Sequence, residues 1–319
     1  NVLRQYPAYF SEVLKRQDSL GVQVIYTRID RDKKGRPTFR EYRYGVDPGR
    51  YYYPASTVKL PVAVLALQRL NELKIAGLDK NSLMITGSAG GRQTEVTRDS
   101  TAPYGRPSIA HYIKKILLVS DNDAYNRLYE FLGQEYINYT LHRMGYEQAQ
   151  LIHRLEVSLS EEENRFTNPV RFEDSKGHLI YEKAAERSQL PYASRNTRMG
   201  KGYLKAGQLV NEPFDFSMKN RLTLDELNSM VRSVLFPESV PAKQRFNLTQ
   251  EDYHFLRKYM SMMPGESVSP VYDPRENWDT YVKFLLYGSQ KGAARPGVRI
   301  FNKVGDAYGF LIDAAYIIE

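Results

Sequence analysis

The sequence predicts a mixed α/β (α+β) fold, in which an antiparallel sheet drawn from both termini encloses an inserted all-helical domain. Three observations predict it: strand-like alternation near the start, long helical periodicity through the middle, and β-rich segments again near the end. Strands at both ends with helices between them assemble most simply as one sheet covered by helices. The expected division is residues 1–53 with 265–319 for the sheet domain and 54–264 for the helical domain.

Each element has a local reason. Residues 9–17 read as a short helix ended by Gly21. Val22, Val24 and Tyr26 then alternate with Gln23, Ile25 and Thr27, as a strand requires. Asp32-Lys-Lys-Gly-Arg-Pro37 is a turn, so a second strand runs back over 39–44 and closes a hairpin. Residues 57–75 form a helix whose first part is nearly all apolar and hence buried. Pro107-Ser108 starts another through Ile109, Ile113, Ile116 and Leu117. Thr223-Leu-Asp-Glu226 has capping-box spacing, and Thr249-Gln-Glu-Asp252 opens a further helix through Leu256 and Met263. After Pro264, residues 297–303 and 308–318 are the closing strands, with a turn expected at Gly305-Asp-Ala307.

Composition excludes several functions. At 319 residues with 42% hydrophobic content, the chain can bury a substantial core. The apolar run 60–67 is broken by Pro61 and is far short of the roughly 20 residues a membrane span needs, so no span is expected. With no cysteine there is no disulfide, thiol nucleophile or thiolate metal site. His111, His142, His153, His178 and His254 show no ligand spacing, so no metal site is expected. The net charge of +8 gathers modestly at Lys183, Arg187, Arg195, Arg198, Lys201 and Lys205, which reads as a solvated loop. No nucleic-acid-binding motif is present, and no nucleic-acid partner is expected.

The chemistry-bearing residues begin with Ser56-Thr-Val-Lys59, at the junction of a polar segment and an apolar helix. Positions i and i+3 share a helix face, which sets Lys59 beside the Ser56 hydroxyl. A lysine desolvated by neighbours such as Leu60 and Val62 loses pKa and can accept a proton. In the first helical turn, free N–H groups favour a developing oxyanion. The plain alternative is a helix cap beside a surface charge. Ser120-Asp-Asn122 lies between two helices and alone would read as a turn and cap. Lys303-Val-Gly305 lies at a strand end and is followed by Asp306.

In this order, the three elements resemble the S-x-x-K, S-D-N and K-[TS]-G signature of the serine β-lactamase and penicillin-binding-protein superfamily. The flanks Pro54-Ala-Ser-Thr-Val-Lys-Leu-Pro61 and Leu117-Leu-Val-Ser-Asp-Asn-Asp-Ala-Tyr-Asn126 resemble class A segments. Arg154-Leu-Glu-Val-Ser-Leu-Ser160, starting 34 residues after Ser120, looks like the class A omega loop. The resemblance implies that Ser56 is the nucleophile, with Lys59 or Glu156 as base. It implies that Ser120 relays a proton and that Glu156 activates the deacylating water. For substrate binding it implies Asn122, Lys303, Gly305 and Asp306, with the N–H groups of Ser56 and Asp306 as oxyanion donors. The expected function is opening of β-lactam amides through an acyl-enzyme, with a D-Ala-D-Ala peptidase or amidase, or an acylated β-lactam or peptidoglycan sensor, as alternatives. A small-molecule β-lactam or peptidoglycan-peptide partner, no metal or organic cofactor, a monomer, and export to the periplasm or beyond are expected with it.

Three departures from the family pattern bear on those expectations. Val304 stands where the family usually has a hydroxyl, and Ser160 where it has an asparagine that helps hold the hydrolytic water. The 147 residues from Glu156 to Lys303 exceed the class A spacing, so 166–220 is expected to be an insertion that covers or narrows the cleft. Class A enzymes continue with another strand and helix where this sequence stops at Glu319, so terminal residues are expected to be missing from the chain.

Overall fold

The computed structural model describes residues 2–90, 94–193, 195–288 and 290–319. Helix α1 (Pro7–Lys15) leads into strands β1 (Val24–Arg31) and β2 (Pro37–Tyr44), which pair antiparallel with Val24 opposite Tyr44. Their turn is fixed by the Asp32 carboxylate, which accepts the N–H groups of Lys34 and Arg36 at 2.8 and 2.9 Å.

Helix α2 (Lys59–Leu73) is the axis of the molecule. Its run of Leu60, Val62, Ala63, Val64, Leu65, Ala66 and Leu67 is essentially solvent-free, the arrangement an all-round apolar helix demands. Each fully buried Val or Leu stabilises the fold by roughly 1.5–3 kcal/mol. Pro61 lies in the first helical turn, where a missing N–H costs little. Strand β3 (Leu83–Thr86) follows, then α3 (Ile109–Val119), α4 (Asn122–Leu132) and α5 (Gln134–Arg143). Ser108 caps α3 through the His111 N–H, and Asp121 caps α4 through the Ala124 N–H. Both α3 and α4 pack on α2.

Strands β4 (Val170–Glu173) and β5 (Leu179–Lys183) join β3 in a three-stranded sheet ordered β3-β4-β5. The middle region therefore carries strands as well as helices. Helices α6 (Leu224–Leu235) and α7 (Gln250–Ser261) begin with reciprocal capping boxes, Thr223 with Glu226 and Thr249 with Asp252.

The chain closes with β6 (Arg299–Ala307) and β7 (Phe310–Ile318), an antiparallel pair. The turn falls at Tyr308-Gly309, not at 305–307 as the sequence suggested. Tyr308 and Gly309 both take left-handed backbone, φ +54° and +79°, as a two-residue hairpin loop requires, while Gly305 stays paired within the strand opposite Ile312. Strands from the two ends pack on α6: Phe236 meets Phe39 of β2 and Tyr316 of β7 edge-on at 5.4 and 5.1 Å. Among the described residues they remain two hairpins and do not form the one continuous sheet that was expected. A groove lined by Ile25, Ile29, Tyr316 and Ile318 separates them.

Candidate active site

Ser56 sits in a 3₁₀ turn (Ala55–Val58) that runs directly into α2. Ala55, just before it, takes left-handed backbone at φ +47°. Thr57 locks the turn, its N–H and hydroxyl both donating to the Pro54 carbonyl at 3.0 and 2.6 Å. Ser56 makes no capping bond at the start of α2, and among the described residues its Oγ has no hydrogen-bond partner. Ser120, Glu156 and Tyr308 are also left-handed, at φ +61°, +60° and +54°. Such backbone is costly for residues with a Cβ, and its concentration around one cleft points to function.

Two lysines from different elements converge on Ser120. Lys59 Nζ donates to the Ser120 carbonyl and lies 3.3 Å from its hydroxyl, and Lys303 Nζ donates to the same hydroxyl at 2.8 Å. The Lys59 ammonium is thus bonded to the middle element of the pattern, Ser120. Gly305 explains how β6 comes so close. A Cβ there would lie 2.7 Å from the Pro54 carbonyl oxygen and 3.2 Å from the Ala55 Cβ. Only glycine lets the strand slide under the Ser56 turn, bringing Asp306 to the cleft wall.

Glu156 accepts a 2.7 Å hydrogen bond from Asn122 Nδ2. Its loop is anchored by Arg154, whose Nε and Nη2 both donate to Glu130 Oε1 at 2.8 and 2.6 Å in a fully buried pair. Glu130 also accepts the Asn168 N–H. Ser160 is the N-cap of the short helix Glu161–Arg165: its hydroxyl bonds the Glu163 carboxylate and N–H.

Burial dominates the electrostatics. Lys59 is solvent-free, and desolvation lowers its pKa to about 7 against the opposing pull of Asp121 and Glu156. Lys303 is also driven well below the ordinary lysine range, by desolvation first and repulsion from Lys59 second. An amine with a pKa near 7 can take a proton from a neighbouring hydroxyl at neutral pH. Among the described residues no cluster of three metal-ligating side chains forms.

The sequence model of the beta-lactamase enzyme family matches residues 12–188, which hold Ser56, Lys59, Ser120, Asn122 and Glu156. The chain belongs to the beta-lactamase enzyme family. Its fold is similar to that of the class A beta-lactamase of Clostridium kluyveri, with TM-score 0.50 at 13% identity over 98% of this chain and 84% of that one. Beta-lactamases of Desulfarculus baarsii (15% identity, 97% and 82% covered, TM-score 0.48) and Chitinophaga pinensis (12%, 99% and 85%, 0.48) are further structural neighbours. No curated protein matches the chain.

Within this beta-lactamase fold, Ser56, Asn122, Glu156 and Asp306 line one cleft of about 760 Å³. Lys59, Ser120 and Lys303 are not among the residues that line it. Several cleft residues carry no sequence signal: Tyr53, His153, Tyr308, and Asp215, Met218 and Lys219 from the 166–220 segment. That segment is held to the rim by Phe214 and Phe216, whose rings meet Tyr308 at 4.9 and 5.7 Å. Aromatic pairing of this kind adds about 0.5–1.5 kcal/mol per contact. The aromatic residues at 214, 216 and 308 are visible in the sequence, but nothing in their spacing says that they meet.

Proposed function

We propose that the protein is a serine hydrolase that opens β-lactam amides through an acyl-enzyme on Ser56. The observation that carries this reading is the convergence of Lys59 and Lys303 on Ser120, with Ser56 in the turn that opens the Lys59 helix and lining the cleft. In this reading Ser56 Oγ attacks the lactam carbonyl carbon and its proton passes to neutral Lys59, or through water to Glu156. The N–H groups of Ser56 and Asp306 stabilise the oxyanion. Ser120 delivers a proton to the leaving nitrogen as the ring bond breaks, its hydroxyl resupplied by the lysine it touches. Asn122 binds the substrate's side-chain amide, and Glu156 then draws a proton from the water that cleaves the ester. The reading carries with it export from the cytoplasm and the division into 1–53 with 265–319 and 54–264.

One observation favours a second reading, in which the acyl group persists as in a sensor or a slow peptidase. Ser160, at the place of the family's water-holding asparagine, is already engaged in capping Glu161–Arg165, leaving Glu156 without that help. Intact-mass spectrometry after mixing with a penicillin separates the readings. A transient adduct and opened lactam support the hydrolase, a lasting adduct supports the sensor or peptidase, and no adduct removes both. Glu156→Ala is expected to lengthen the adduct's lifetime by about 10²-fold or more.

A further inference from the structure

Ser120-Asp121-Asn122 joins α3 to α4, and Asp121 works at both ends of the joint. Its Oδ1 accepts the Ala124 N–H at 2.7 Å and so caps α4, while its own backbone N–H donates to the Lys115 carbonyl at the end of α3 at 3.3 Å. Its Oδ2 lies 3.3 Å from Lys115 Nζ. A carboxylate is therefore fixed one residue from Ser120, whose carbonyl and hydroxyl meet the Lys59 ammonium. Against desolvation, Asp121 does more than Glu156 to favour the charged form of Lys59. Left uncancelled, the Asp121 charge would hold the Lys59 proton in place.

Lys115 meets that charge. Its Nζ stands between two acids, 3.0 Å from Asp99 Oδ2 and 3.3 Å from Asp121 Oδ2. Lys115 and Asp99 are each only 12% exposed, so solvent screens them far less than a surface pair. Asp99 does not depend on Lys115 alone: it accepts the Thr101 N–H and hydroxyl at 2.9 and 2.6 Å, and His111 Nε2 lies 3.2 Å away. Burial opposes both charges and the partners overcome it, taking Asp99 far below the ordinary carboxylate range and Lys115 above the ordinary lysine range. Both groups therefore stay charged wherever Lys59 titrates. Of the other described groups facing the cluster, Tyr112 and Tyr272 are kept neutral by burial, and Asp123 is paired with Arg127. Glu156 and Lys303 face Lys59 from the other side.

We infer that Lys115 is a positioning residue for Lys59: bridging Asp99 and Asp121, it holds the Ser120 segment in place and cancels the Asp121 charge, so that Lys59 can serve as the base. The inference rests on the proposed acylation at Ser56 for that role, but Lys59 can be followed without substrate. Carbon-13 NMR of the lysine Cε resonances, with the Lys59 signal assigned by its loss in Lys59→Arg, reads its titration midpoint directly. Stopped-flow acylation by a penicillin reads the same midpoint as a rising limb. Lys115→Met is expected to raise the midpoint by about one pH unit and to slow acylation at pH 7 by about fivefold, with the high-pH plateau kept. Lys115→Arg should return the midpoint, and so should Lys115→Met combined with Asp121→Asn, whose amide oxygen still caps α4. Asp99→Asn disturbs the same cluster but spares the Lys115–Asp121 pair, so it should lower stability in urea without raising the midpoint. An unchanged or lowered midpoint in Lys115→Met, a rise that neither restoring variant reverses, or an equal rise in Asp99→Asn overturns the inference. A penicillin adduct on the native chain without the shift leaves the acylation reading standing and removes this one. The shift without any adduct does the reverse.

Discussion

Lys59 is asked to be both buried and reactive, and the same burial does both. Desolvation brings its pKa to about 7, so its neutral form grows as pH rises through that value. Acylation is therefore expected to slow as pH falls below about 7, with a stopped-flow pH profile showing a single rising limb that Lys59→Ala removes along with most of the rate. Gly305 makes a second test. In Gly305→Ala the new methyl meets the Pro54 carbonyl oxygen at 2.7 Å, so β6 must retreat. Overpacking of that kind costs about 1–3 kcal/mol, seen in urea unfolding, and acylation should fall by at least tenfold because Asp306 moves with the strand. At this scale the sequence was informative where residues repeat a known pattern, as at Ser56, Lys59 and Ser120. It said nothing of Lys219, which reaches the cleft through a segment whose path local periodicity does not reveal.

Among the elements, the loop that carries Glu156 depends on one buried pair. Removing Arg154 leaves the buried Glu130 carboxylate with no cation bonded to it and only the backbone and side-chain N–H groups of Asn168 as donors among the described residues. Arg154→Met should destabilise the fold by about 3–5 kcal/mol in denaturant titration, and should lengthen the acyl-enzyme lifetime, because Glu156 loses its footing. Helix starts were legible because Ser108, Thr223 and Thr249 are residue types that favour the N-cap, and each accepts a backbone N–H of its helix's first turn. The hairpin turn at the far end was not. Gly305 looked like a turn glycine, yet it serves the close approach of β6 to Pro54, and Tyr308 takes the left-handed place instead. Strands β3 to β5 went unread because four- and five-residue strands show too little alternation beside long helices.

The whole molecule encloses more than one lysine in its interior. Lys283 is also buried with its pKa near 7, its ammonium donating to the carbonyls of Met260 and Ile300 and to Asn302 Oδ1. For Lys59 and Lys283 the unfolded chain binds protons more tightly than the folded one. Between pH 7 and the ordinary lysine range, stability should therefore rise with pH, and below pH 7 the full penalty remains. Thermal unfolding from pH 6 to 9 would show Tm climbing, with a smaller climb in Lys283→Met. The α/β class was readable from the order of elements. The separation of the terminal hairpins was not, since pairing between distant strands leaves no trace in local periodicity.

The central claim is that Ser56 is the group that becomes acylated. Its most direct test is to quench the protein shortly after mixing with a penicillin, digest it, and locate the added mass by peptide sequencing. The account predicts the acyl group on Ser56 and its disappearance in Ser56→Ala. A label on Ser120, on a lysine, or retained after Ser56→Ala would contradict it.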